Sequence, residues 1–223
     1  MLLSVIVPVY NEEKYLREVL KKINAVPIEK QVIIVDDGST DGTKALLDMI
    51  DYPNYEMIHH NRNYGKGAGI RTGLKYVKGD VVIIQDADLE LDPNEYLSLI
   101  KPIEQNQTKV VFGSRYLNKG RVGDLICYLA NRVLTMLINI LYGTSLTDIN
   151  TCYKMFCASL ISYLDLRSNG FDIEPELVAK LLKYGGKIIE VPISYSARTS
   201  KQGKKIKAKD FFKDIIAIIK YHR

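Results

Sequence analysis

An α/β fold, with a mostly parallel sheet and helices on both of its faces, is what this sequence predicts. Three observations carry that expectation. Short β-branched runs such as "SVIVPVY", "QVIIV" and "DVVIIQ" alternate with segments of helical spacing. Turn-forming clusters, above all "DDGSTDG", follow directly on strands. A hydrophobic content of 47% over 223 residues suits one sizeable core.

Taken in order, "LLSVIVPVY" reads as a buried strand, and Asn11 is placed to cap the next helix, with Glu12 and Glu13 in its first turn. "QVIIV" is the second strand, residues 41–50 a helix, and "YEMIHH" a short third strand. "GKGAGIRTGLKYV" is a glycine-rich turn entering a helix, and "DVVIIQ" is the fourth strand. In "DPNEY", Asp92 is the expected cap, Pro93 the first helical residue and Glu95 the closing member of a capping box. "KVVFGS" is the fifth strand. Past residue 115 the rhythm breaks. A long apolar helix is expected over 125–142, "TCYKMF" as a strand, helices near 158–165 and 174–184, and "KIIEVPIS" as the last strand. "DFFKDIIAIIKY" carries apolar residues at 211, 212, 215, 216, 218 and 219, a one-sided helical stripe. The chain divides into a main domain, residues 1–200, and a basic segment with an amphipathic helix, residues 201–223.

Charge is unevenly spread. The net formal charge is +5, but residues 198–223 hold nine Lys and Arg against two Asp, an excess of +7. Such a tail fits contact with phosphate or an anionic membrane, or a solvated surface. It lacks the interleaved aromatics of a nucleic-acid platform, so no nucleic-acid partner is expected. Cys127, Cys152 and Cys157 lack metal-ligand spacing and read as reduced thiols of a cytoplasmic protein. No leader is expected, since Met1 runs straight into a strand. The longest uncharged stretch, Val133 to Thr147, is shorter than the roughly 18 residues a spanning helix needs, so attachment to a membrane surface is expected rather than passage through it.

In open α/β sheets ligands bind at the carboxyl ends of the strands. Here three ends are loaded: "PVYNEE", "VDDGSTDGT" and "QDADLE". Asp86 and Asp88 are two residues apart, so in extended chain both face one way and can reach one hard divalent cation, Mg²⁺ or Mn²⁺. Competing motifs fail. "GKGAG" lacks the Ser/Thr of a phosphate loop, because Ala68 follows. No dinucleotide fingerprint follows the first strand, no nucleophile elbow is present, and His59, His60 and His222 are not spaced for metal or triad chemistry.

Six segments together, "SVIVPVYNEE", "VIIVDDGSTDGT", "NYGKGAGIRTGL", "DADLELDP", "FGSRY" and "EVPISYSAR", resemble the inverting family-two glycosyltransferases of GT-A fold. Within them the chain looks most like the dolichyl- or polyprenyl-phosphate mannose and glucose synthases. The resemblance implies transfer of a hexose from a nucleoside diphosphate sugar, GDP-mannose or UDP-glucose, to polyprenyl or dolichyl phosphate, on the cytoplasmic face of the membrane. It implies that Pro8, Tyr10, Glu12 and Asp37 contact base and ribose, and that Lys66 and Asp86 belong to the nucleotide-sugar site. Asp88 is the implied main metal ligand, with Asp86 and Glu90 beside it; Glu90 stands where the family often has Gln. Arg115 and Arg198 are the implied phosphate-binding and catalytic arginines, assisted by Lys201, Lys204 and Lys205. The synthases carry a basic pair about fourteen residues past "GSR"; Arg121 and Arg132 do not align with it. "TDINTCYK" and "GFDIEPE" match a bacterial and archaeal subgroup. In them Asp148 and Glu176 either line the acceptor side or are buried hydrogen-bonded acids. Two other readings stay open: transfer to a glycan or protein hydroxyl, and a non-catalytic nucleotide-sugar-binding module. Formation of a homo-oligomer is left open as well.

Overall fold

The computed structural model describes residues 1–117, 124–197 and 208–222, with the side chains of 208 and 209 excepted. The elements follow as β1 (Leu3–Val9), α1 (Glu13–Ala25), β2 (Lys30–Asp36), α2 (Thr43–Asp48), β3 (Tyr55–His59), α3 (Lys66–Leu74) and β4 (Val81–Ile84). Then come a 3-10 turn (Pro93–Glu95), α4 (Tyr96–Leu99), α5 (Lys101–Glu104), β5 (Val110–Ser114), α6 (Leu125–Tyr142) and β6 (Lys154–Cys157). The chain closes with a 3-10 turn (Ala158–Leu160), α7 (Ile161–Leu164), α8 (Ile173–Gly185), β7 (Ile188–Pro192) and α9 (Ala208–His222).

One seven-stranded sheet, in the order β3-β2-β1-β4-β6-β5-β7, organises the described residues. Only β6 runs against its neighbours, β4 and β5; the other pairs are parallel. The central strands are apolar on both faces. Val5, Ile6, Val7, Val32 to Val35, Val82 to Ile84 and Val110 to Phe112 are all fully buried, as strands covered by helices on each side must be. On α1 the buried Leu16, Val19, Leu20 and Ile23 form the stripe that faces this sheet. β1 lies between β2 and β4, so the chain leaves it first to one side and later to the other. The cleft at the carboxyl ends of β1 and β4 is therefore the switch point where ligands of such sheets bind.

Three local expectations are corrected. Asn11 does not cap α1: it takes a left-handed backbone, φ 51°, and Glu12 occupies the cap position without a side-chain cap bond. The Asn11 side chain instead receives Thr40 N–H at 2.8 Å, because joining two strand-end loops satisfies more backbone than one cap would. Asp92 does cap, accepting from Asn94 N, with Pro93 behind it. Glu95, however, accepts from Ser194 N at 2.6 Å and pins the segment after β7 to the segment after β4. Finally, α6 is an 18-residue helix with Arg132 as its one charge, long and apolar enough to cross a membrane by length and composition alone. The apolar stretch expected to be too short to span thus continues past Arg132 back to Leu125.

α9 packs on α8 and α6. Its expected stripe is divided: Ile218 is buried with Ala217, Phe211 and Ile215 are half-buried, and Phe212, Ile216 and Ile219 are exposed.

Candidate active site at the strand ends

The loops after β1 and β2 are laced together. Glu12 N–H donates to Thr43 Oγ1 at 3.0 Å, and Asp36 Oδ1 accepts from Ser39 N at 3.0 Å. Pro8 is half-buried against α3, where a Cβ on Gly69 would lie 3.2 Å from its ring, and Tyr10 and Glu12 are half-buried at the cleft edge. Asp37, for which the resemblance implies a base contact, is engaged within the protein. It is 2% exposed, its carboxylate accepts from Tyr64 N and Gly65 N at 2.7–3.1 Å, and Oδ1 pairs with His60 Nδ1 at 2.6 Å. Its carboxylate folds the 60–65 loop that delivers Lys66, because a buried carboxylate must be met by donors.

Lys66 opens α3. The glycines beside it make its position: Gly65 has φ 106°, and a Cβ on Gly67 would lie 2.4 Å from the carbonyl oxygen of Ser168. With that closeness, Lys66 Nζ reaches Asp86 Oδ1 at 2.7 Å and Glu174 Oε1 at 2.8 Å. Glu174 also pairs with Lys154, whose side chain is wholly buried, whose ammonium donates to the carbonyl of Thr151, and which lies 5.6 Å from the Phe112 ring centroid. Burial alone would raise the carboxyl of Glu174, but Lys154 and Lys66 overrule it and hold it down at about 2. Burial likewise opposes the charge of Lys66, and Asp86 and Glu174 more than restore it.

A second cluster joins the β4, β5 and β7 ends. Asp88 is buried and accepts Glu90 N at 3.0 Å. Glu90 Oε2 accepts from Tyr195 OH at 3.1 Å, and its carbonyl accepts from Ser196 N at 2.9 Å. The Arg115 guanidinium stands between the rings of Tyr195 and Tyr116, 5.0 and 5.3 Å from their centroids. Its fork is occupied: Nε and Nη2 meet the two oxygens of Asp148 at 2.7 and 2.8 Å. Asp148 is fully buried and takes a further bond from Asn131 Nδ2. Burial would raise its pKa, yet Arg115 holds it below the ordinary carboxylate range. An interior carboxylate thus occupies the two-pronged face of Arg115, whose remaining edge is the part left toward the cleft. Glu176 is likewise a buried acid, accepting from Arg167 N and Ser168 N and pairing with Lys180.

Among the described residues, no group of three or more His, Cys, Asp or Glu side chains is gathered as a metal cage. Asp86, Asp88 and Glu90 thus do not form a ready three-carboxylate site: Asp86 turns to Lys66 and Glu90 to Tyr195. The donor set still fits Mg²⁺ or Mn²⁺. Both ions take carboxylate oxygen, and Mg²⁺ in particular keeps waters and shares substrate phosphates rather than demanding an all-protein cage.

Sequence reasoning missed Glu174 and Lys154. "EPE" offered two acids, and Glu176 drew notice; on a helix, residues two apart point to different sides, and only Glu174 faces the cleft. Lys154 lies in an apolar strand, where nothing marks a buried ammonium. Arg121, Arg198, Lys201, Lys204 and Lys205 lie outside the described residues.

The model of the family described as "Glycosyl transferase family 2" matches residues 4–164. A dolichol-phosphate mannosyltransferase of Pyrococcus furiosus is 32% identical over 223 residues, 95% of this chain and 61% of that protein. An undecaprenyl-phosphate 4-deoxy-4-formamido-L-arabinose transferase of Edwardsiella ictaluri is 28% identical over 208 residues, 90% of this chain and 62% of the other. The chain thus spans under two thirds of each of these relatives. Glucosyl-3-phosphoglycerate synthase of Mycobacterium tuberculosis, in complex with UDP, aligns with TM-score 0.74 and 20% identity over 99% of this chain and 79% of its own. The same synthase has been solved with Mn²⁺, UDP and glucosyl-3-phosphoglycerate (TM-score 0.69, 18% identity, 98% and 79% covered). At that identity the likeness establishes the fold.

Proposed function

This chain belongs to glycosyl transferase family 2, and on that premise we propose that it transfers a hexose, mannose or glucose, from a nucleoside diphosphate sugar to polyprenyl or dolichyl phosphate, with inversion. One observation supports this reading above the rest. Lys66 pairs with Asp86 in the acidic loop after β4, and Glu90 of the same loop accepts from Tyr195, against which Arg115 lies, so both clusters meet at the carboxyl end of β4. The relatives' names, which specify dolichol-phosphate and undecaprenyl-phosphate transfer, support the acceptor class.

In this reading Pro8, Tyr10 and Glu12 border the base and ribose, and Lys66 and Asp86 meet the diphosphate. Asp88 and Asp86, with Glu90, would hold Mg²⁺ or Mn²⁺. When bound, the ion supplies Lewis-acid stabilisation of the departing diphosphate. An oxygen of the acceptor phosphate attacks the anomeric carbon as the bond to the diphosphate breaks. A phosphate monoester has its second pKa near 6, so at neutral pH it is largely a dianion and requires no protein base. Arg198, Lys201 and the remaining edge of Arg115 attract that dianion. Transfer to a hydroxyl would require a base. Asp148 and Glu176, the acids considered for it, are both held below their ordinary range by cationic and backbone partners, after burial is overcome.

Because the acceptor is lipid-linked, we read the enzyme as lying on the cytoplasmic face of a membrane. Ile126, Leu129, Val133, Met136 and Ile140 form an exposed row on α6 with alternating three- and four-residue spacing, and Phe212, Ile216 and Ile219 form another on α9. The test is direct. Purified protein is incubated with labelled GDP-mannose or UDP-glucose, Mn²⁺, and undecaprenyl or dolichyl phosphate. Label should appear in the lipid fraction with one donor; label in neither, with hydrolysis or transfer to soluble glycans instead, would overturn the reading.

A further inference from the structure

The network Asp86–Lys66–Glu174–Lys154 alternates in sign and joins four separate elements or loops. Its two ends differ. The Asp86 side chain is 31% exposed and stands on a loop at the cleft; Glu174 is 10% exposed, in the first turn of α8. Glu174 is also held from behind by an ammonium with no exposure at all. Lys66 lies between them, within 0.1 Å of equidistant. A lysine is a flexible point charge, so two carboxylates at equal reach offer it two resting places. A cation on Asp86 would share that carboxylate with the Lys66 ammonium, and two positive charges on one carboxylate repel.

We propose that Glu174 is a positioning residue: the fixed carboxylate that retains Lys66 when a divalent cation takes Asp86, so that the ammonium stays within reach of the donor's diphosphate. This rests on the metal and donor site proposed above. Lys66 would rotate off Asp86 without leaving the cleft, because Glu174 cannot follow it and Lys154 keeps Glu174 in place. The glycines flanking Lys66 serve the same arrangement, since they allow the start of α3 to approach the 168–173 segment closely. Without Glu174, Lys66 has Asp86 as its one remaining carboxylate in the network and competes with the incoming ion for it.

The experiment is a double-mutant cycle on Mn²⁺ affinity, read by electron paramagnetic resonance of the free ion in the presence of saturating UDP or, separately, GDP. E174Q keeps the size of the side chain but removes its charge and one of its two acceptor oxygens, so it can accept from only one of the two ammoniums. We expect it to weaken Mn²⁺ binding about tenfold, and K66M in the same chain to restore most of the loss. A merely structural Glu174 would not be rescued by deleting Lys66, so an E174Q defect that persists in E174Q/K66M overturns the inference. So does an E174Q protein with wild-type Mn²⁺ affinity. If E174Q unfolds because Lys154 is left unpaired, the cycle is run in an E174Q/K154M background, which removes that ammonium too. Mn²⁺ uptake by wild type that D88N abolishes, together with a failed cycle, would leave the metal site standing and sink only the role of Glu174. No uptake by wild type with either nucleotide would overturn both.

Discussion

At the scale of single residues, Asp86 and Asp88 show how a two-residue spacing becomes a division of labour. Asp86 faces Lys66, while Asp88 is buried against the backbone of its own loop, accepting from Glu90 N. If Asp88 is the principal ligand, D88N should lower transfer at least a hundredfold in Mg²⁺ or Mn²⁺ and leave the melting temperature within a few degrees; unchanged turnover refutes the assignment. Asp148 makes the opposite prediction. It is the buried partner of Arg115, so D148A strands an interior guanidinium and should cost about 3–5 kcal/mol of stability, measured by urea unfolding. A loss below about 1 kcal/mol would show that water reaches the pair and that Arg115 is free to act on substrate. For Arg198, proposed to attract the acceptor phosphate because it opens the basic tail, R198A should raise the KM for polyprenyl phosphate with little change in nucleotide affinity by calorimetry. An equal loss of both moves it to the donor half.

Among the elements, α9 carries an acid shifted far from its ordinary range. Asp214 is buried, its Oδ1 has no hydrogen-bond partner, and desolvation, followed by Glu174, Asp210 and Asp172, raises its pKa to about 7 against the partial relief of Lys154. In the unfolded chain an aspartate titrates near roughly 3.9. Between those values the folded protein holds the extra proton, so stability should fall as pH rises from about 4 to 7 and level off above. The contribution is on the order of a few kcal/mol over that window. D214N should flatten this slope and raise the melting temperature at pH 8 more than at pH 5. An equal shift at both pH values would mean that Asp214 is ionised throughout and finds a partner in solution.

For the molecule as a whole, the proposed lipid-linked acceptor makes membrane contact the property to test. α9 cannot simply be removed to test it, because Ile218 and Ala217 belong to the core. The exposed row can be changed alone: F212S/I216S/I219S should keep the fold and weaken sedimentation with anionic liposomes severalfold. High salt should weaken it further through the excess charge of +7 over residues 198–223. If wild-type protein stays in the supernatant at low salt, the surface-attachment reading fails and soluble acceptors move ahead.

The sequence by itself determined the strands, most helices, the parallel character of the sheet and the three loaded strand ends. Each of these is written in a local pattern: β-branched runs, helical spacing, and turn residues at their junctions. The cap at Asp92 was legible for the same reason, and the supposed cap at Asn11 was not, because its real partner, Thr40, lies across another loop. Only the tertiary structure decided that Arg115 belongs to Asp148, that Asp37 folds a loop, that Glu174 rather than Glu176 faces the cleft, and that β6 runs antiparallel between β4 and β5. These are pairings of charges and strands distant in sequence. A buried charge takes whichever opposite charge the fold brings within about 3 Å, and no spacing along the chain records that choice.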